Sequence, residues 1–192
     1  MTNGAFGKII IGQILLVICC IFYLIWWSIS YRPGVEVKRA GGLNGIMLLI
    51  TAFCGLAGIA VSIYGVNAVQ KTGHLKITGI VIVAGGIIAY VLLLLITRFL
   101  FQRQVTTELV LITGWVMLEL TVISSLNGAG RLSDTRFWIL AVVVAIAFTI
   151  SIVLYVLYYR MKPMKAFYAA MVPLITEAVS MGVITAVVLT GK

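Results

Sequence analysis

The chain has 192 residues, 62% of them hydrophobic and 10% charged, with a mean hydropathy of +1.19. A soluble domain carries about a quarter charged residues, and five acidic side chains cannot keep a surface of this size wet. A water-soluble globule, a disordered chain and a nucleic-acid-binding domain are excluded despite the net charge of +9. A lipid bilayer is the expected surroundings.

A membrane-spanning helix needs about 20 predominantly apolar residues, and six segments supply them, at roughly 9–30, 43–66, 77–98, 106–126, 137–159 and 166–189. They are continuous and lack the ten-residue alternation of an outer-membrane barrel. The expected fold is all-α, one integral membrane domain over 1–192 with six spans in an antiparallel bundle. The first run is as long as a full span and no small-x-small cleavage site follows it, so it should stay as a helix.

The connections are short and polar, which makes successive helices antiparallel neighbours. Tyr31 to Gly42 carries Arg32, Pro33, Lys38 and Arg39, and Asn67 to Lys76 carries Lys71 and His74. Asn127 to Arg136 holds Gly128 and Gly130, then Ser133 and Asp134, either of which can cap the fifth helix. Arg160 to Lys165 is a basic turn with Pro163. Lys and Arg number eight on the side of the odd connections and six on the other. The positive-inside bias then places both termini outside, in what is expected to be a bacterial cytoplasmic membrane. Aromatic side chains including Trp26, Trp27, Tyr31, Tyr155, Phe167 and Tyr168 gather at the eight-charge side, as head-group-level rings do.

A shift of 95 residues lays Gln13–Ser30 over Glu108–Ser125, and a shift of 89 lays Lys76 over Lys165. With three spans in each half, such a match describes a 3+3 inverted repeat of the transporter kind. Its identities are few, among them Leu16 with Leu111 and Ser30 with Ser125.

Acids inside the bilayer are the strongest functional signal. Glu119 lies well inside the fourth segment and Glu177 near the middle of the sixth. A charge at that depth costs about 2.5–3.5 kcal/mol on insertion scales, so such residues face the bundle interior and mark binding or proton relay. The competing reading is a protonated carboxyl that merely glues helices together. Glu108 precedes Glu119 by eleven residues, about 20° around the helix and about 16 Å along it, with Trp115 between them. It reads as interfacial. Pro173 frees the carbonyl of Ala169 one turn before Glu177 and is expected to kink the sixth helix. Thr176, Glu177 and Ser180 then form a polar cluster.

Small residues mark packing. Gly55, Gly58, Ser62 and Gly65 share one side of the second helix, and Gly85 and Ala89 give the third a small-xxx-small patch. Gln13, Asn44 and Thr51 are polar span residues suited to interhelical hydrogen bonds. Cys19, Cys20 and Cys54 sit in mid-run and read as small apolar side chains without a disulfide framework.

The lone histidine, outside the spans, excludes a bis-His haem, an HExxH zinc site and a Ser–His hydrolase in the membrane. No aspartate lies in a span and no GxxxxGK[ST] loop occurs. No catalytic residue, metal ligand or cofactor is therefore assigned, and enzymatic activity is disfavoured. The sequence points to a small transporter or channel subunit moving a small solute or ion, coupled to a proton or cation through Glu119 and Glu177. Homo-oligomerisation or a partner membrane subunit is expected. The alternatives are a non-catalytic accessory membrane protein and, behind it, a lipid-modifying enzyme.

Overall fold

In the computed structural model, residues 3–34, 41–70, 78–100 and 107–190 are described. The described chain is all-helical: α1 (Asn3–Ser30), α2 (Gly41–Gln70), α3 (Thr78–Leu95), α4 (Thr107–Gly128), α5 (Asp134–Leu157) and α6 (Pro163–Thr190). A π-helical turn, Ile96–Leu100, extends α3, and a 3₁₀ turn, Tyr158–Arg160, extends α5. Lys38, Arg39, Lys71, His74, Lys76, Arg103 and Lys192 lie outside the described residues.

Five helices (α1, α2, α4, α5 and α6) are long and apolar enough to cross a bilayer. The third expected span differs. Its helix runs over Thr78–Leu95 and changes register at Ile96 into a π turn, Ile96–Leu100, with an apolar stretch at Ala84–Phe99 among the described residues. The 18 α-helical residues of α3 rise about 27 Å before the π turn continues the helix. Most other helices outrun the expected segments because polar residues join their ends. Lys8 belongs to α1, for example, and lays its Nζ 4.3 Å from the Tyr64 ring centroid on α2.

Helices α1 and α2 form the most extensive pair, and α1 also packs on α6. Contacts of α6 with α5, α5 with α4, and α4 with α2 complete a five-helix ring, while α3 packs chiefly on α4 from outside. Exchanging the two sequence halves maps the α3–α4 contact onto the α6–α1 contact, and both pairs pack. It also maps α5–α6 onto α2–α3; the first packs well, whereas the second is not among the main contacts of the described residues.

The antiparallel order is visible in the core. One buried cluster unites Ala5, Phe6 and Ile9 from the start of α1 with Val66 and Val69 from the end of α2. Val122, Ile123 and Leu126 from the end of α4, Leu132 of the α4–α5 corner, Leu140 and Val144 of α5, and Ile184 of α6 complete it. A second cluster at the opposite end joins Leu109 and Ile112 of α4 to Tyr155 of α5. Tyr155 is thus core rather than an interfacial ring.

The α1–α2 contact depends on missing side chains. A Cβ at Gly65 would lie 2.9 Å from the Ile9 backbone nitrogen and 3.1 Å from the Ala5 carbonyl oxygen. A Cβ at Gly12 would run into Ser62 and sit 2.9 Å from the Gly58 carbonyl oxygen. The small-residue side of α2 is therefore the seat of α1, as backbone-close packing in lipid requires. On α3 the patch shifts by one: Gly86 meets Met117 of α4, whereas Gly85 has open space around its Cβ position. Large apolar side chains on the other side of α2, Leu49, Phe53 and Leu56, are exposed and form a lipid-facing stripe at helical spacing.

Two local signals set the α4–α5 corner. Gly130, at φ +72°, follows the end of α4, and the Arg131 amide donates 2.9 Å to the Leu126 carbonyl. Of the two cap candidates, Ser133 takes the role: its Oγ accepts from the Arg136 amide. Asp134 instead accepts 3.0 Å from the Asn127 side-chain amide.

Candidate functional site

The polar centre sits inside the five-helix ring. Glu119 is twelve residues into α4, about 18 Å along its axis, and Glu177 is fourteen residues into α6, about 21 Å along. Both are buried, Glu119 completely. Each helix turns a polar position inward among apolar ones because the ring has no other place for it away from lipid.

Gln13, on α1, donates its Nε2 to Glu119 Oε1 across 2.9 Å. Gln13 is itself 1% exposed, so the pair is sealed. Glu177 and Ser180, three apart on α6, share a buried face, and Ser151 of α5 sits beside the Glu177 carboxyl. The Ser151 hydroxyl is near enough to act on that carboxyl but stands outside hydrogen-bonding geometry. The two carboxyls are close enough to interact electrostatically, and Cys20 of α1 feels both. Four of the five ring helices thus converge on one polar neighbourhood.

Much of its hydrogen-bonding capacity is unspent. Gln13 Oε1, Glu119 Oε2, Ser151 Oγ and Ser180 Oγ are buried atoms without a hydrogen-bond partner within the protein, as are Trp115 Nε1 one turn before Glu119 and Ser62 Oγ at the α1–α2 contact. Among the described residues no Lys, Arg or His is buried. Native interiors leave few such groups, and clusters of them point to a function or a bound species.

The other expected site residues fall into different roles. Pro173 lies inside α6, which continues as helix from Pro163 to Thr190 rather than breaking. Thr176 turns back on its own helix, donating 2.8 Å to the Pro173 carbonyl, so it does not join Glu177 and Ser180. Trp115 is half-buried one turn before Glu119 and packs against two apolar clusters. Glu108 is exposed at the start of α4 near Tyr23 of α1, away from the centre. No cluster of three or more His, Cys, Asp or Glu suited to a metal occurs among the described residues.

Gln13 forms the interhelical bond its position in the first span suggests, whereas Thr51 bonds within its own helix, 2.9 Å to Met47 O. In sequence Gln13 reads as a general interhelical hydrogen-bonder and Ser62 as a small packing residue, and Ser151 does not stand out. The available signal was depth: all three are polar residues inside otherwise apolar runs.

An aromatic group closes one end of the ring. Trp27 stacks on Tyr31 at 4.5 Å and on Phe167 at 6.4 Å, and its Nε1 donates 3.3 Å to the Phe167 carbonyl. This ties α1 to α6 at the end where α6 begins.

No protein-family model, curated protein or solved structure matches the chain.

Proposed function

We propose that the protein is a small membrane transporter or channel subunit that moves a small solute or ion, coupled to a proton or cation through Glu119 and Glu177. The observation that carries this reading is the pair of carboxyls brought inside one helical ring from α4 and α6 with no buried basic partner among the described residues. Structural glue would use up its polar atoms against neighbouring helices. Here oxygens of Glu119, Gln13, Ser151 and Ser180 are left over. A mobile positive species satisfies them, and release of that species recreates a charge whose cost in lipid drives a change of state. Pro173, one turn before Glu177, gives α6 a backbone position with a missing donor at which such a change can be absorbed.

The test is reconstitution into proteoliposomes loaded with a pH-sensitive dye. A panel of amino acids, sugars and small organic cations is added outside. One class is expected to change the internal pH, and Glu119→Gln and Glu177→Gln are expected to abolish that response while leaving monodisperse protein. Full activity in both variants overturns the role of the glutamates. Silence towards the whole panel, with and without an imposed membrane potential, favours a non-catalytic accessory subunit.

A further inference from the structure

The buried pair of α1 and α4 has an unusual imbalance. Gln13 Nε2 and Glu119 Oε1 satisfy each other at 2.9 Å. The remaining oxygen of each group, Gln13 Oε1 and Glu119 Oε2, is buried without a partner. An amide oxygen and a carboxylate oxygen can only accept, so neither can serve the other. One proton can remove both deficits: a carboxylic acid O–H donates where a carboxylate cannot, and the amide that already bonds Glu119 carries an oxygen free to accept it. Acid and primary amide then use both of their edges, N–H to one carboxyl oxygen and O–H back to the amide oxygen.

We infer that Glu119 is the residue that binds and releases the coupling proton, and that Gln13 is its positioning residue, reading the protonated form through its amide oxygen. This rests on the transport reading above for its physiological meaning. The step is simple in its balance. The Glu119 carboxylate takes one proton from the aqueous phase, becomes a neutral acid, and returns the same proton on release.

A metal cation fits less well. An alkali ion in an oxygen site would draw the amide oxygen towards the carboxylate, whereas Gln13 presents its N–H there. That N–H carries positive charge on the side from which a cation would be shared.

The surroundings of Glu119 are otherwise poor in competing groups. From α6 the titratable neighbour is Glu177, and from α1 it is Cys20. The buried polar side chains of α2 and α5 among the described residues are those of Thr51, Ser62 and Ser151, none of them titratable near neutral pH. On α3, which packs on α4, Tyr90 lies against the cluster of Leu109, Ile112 and Tyr155, whose α4 members are about two to three turns from Glu119. Among the described residues no Lys or Arg acts on either carboxyl.

The experiment is infrared difference spectroscopy of the purified full chain in liposomes, taken between high and low pH in H₂O and D₂O. A protonated-carboxyl C=O band is expected to appear at low pH, to be lost in Glu119→Gln and to persist in Glu177→Gln. In Gln13→Leu it is expected to move to higher frequency, as a carbonyl does on losing hydrogen bonds, with a shifted titration midpoint. A purely structural Gln13 would change stability and leave the band in place. As a measurement that needs no variant, the wild-type chain is treated with a membrane-permeant carbodiimide, which reacts with protonated carboxyls. Adduct at Glu119, mapped by mass spectrometry, is expected to fall as pH rises and to be indifferent to sodium.

A band unaffected by Glu119→Gln, a band unmoved by Gln13→Leu, or protection of Glu119 by sodium at constant pH overturns the inference. The two readings fail separately. A Glu119 band without any solute-driven pH change leaves the proton site standing and removes transport. Solute-driven pH changes without a Glu119 band do the reverse.

Discussion

Gln13 and Glu119 are 106 positions apart in the chain and 2.9 Å apart in the fold, and their hydrogen bond is buried between α1 and α4. Those two helices are not a major packing pair; α1 packs on α2 and α6, and α4 on α2, α3 and α5. The bond therefore crosses the inside of the ring and joins helices on opposite sides of it. Neither residue can be changed alone without stranding the other.

That asymmetry gives a measurable cycle. Gln13→Leu leaves the Glu119 carboxyl without its donor and should cost about 1–3 kcal/mol, the usual penalty for a buried orphan. Glu119→Leu should cost a similar amount by stranding the Gln13 amide. The double variant should recover most of the loss, because two apolar groups demand nothing of each other. Unfolding in mixed micelles of the four proteins measures the coupling. Simple additivity would show that the pair is not an energetic unit.

Close packing of α1 on α2 predicts a contrast between glycines. A methyl at Gly12 meets Ser62 and the Gly58 carbonyl, so Gly12→Ala should destabilise by about 1–3 kcal/mol through overpacking. Gly114, in α4, has nothing within 4 Å of its Cβ position. Gly114→Ala should be neutral or stabilising by up to about 1 kcal/mol, from helix propensity alone. The same unfolding assay reads both, and equal effects would contradict the packing described.

At the closed end of the ring, Trp27 holds α1 to α6 by stacking and by one hydrogen bond. Trp27→Phe keeps a ring between Tyr31 and Phe167 and should lose about 0.5–1.5 kcal/mol, the bond to the Phe167 carbonyl. Trp27→Ala should lose about 3–5 kcal/mol, since the ring goes as well. Thermal unfolding followed by the remaining tryptophan emission separates the two.

Pro173 withholds one backbone donor from the interior of α6. Pro173→Ala should restore a hydrogen bond to the Ala169 carbonyl and slow amide exchange over roughly one turn, 169–177, measured by hydrogen–deuterium exchange. If α6 yields at this point during transport, the same variant should lower the solute-driven pH change while raising stability. A variant that is more stable and fully active would show that the proline is only tolerated.

Hydropathy sufficed for the fold class because lipid demands internal backbone hydrogen bonds, and a long apolar run answers that demand as a helix whatever its neighbours are. Glu119 and Glu177 stood out for the same reason: depth in an apolar run is readable along one dimension. The π turn at Ile96 was not readable, since composition does not reveal a change of helical register. Nor did periodicity tell Gly85 from Gly86, because one residue of rotation decides which meets Met117.

The sequence by itself determined that this protein lives in a bilayer, that it is helical, and which two acids are sunk in it. Each of those follows from the cost of moving a local group out of water, a property of the residue and its chain neighbours. Only the tertiary structure decided that Gln13 belongs to Glu119, that Ser151 and Ser180 rather than Thr176 stand with Glu177, and that α3 lies outside the ring. Those are relations between helices, fixed by which faces pack, and helix contacts in lipid turn on single small residues such as Gly12 and Gly65.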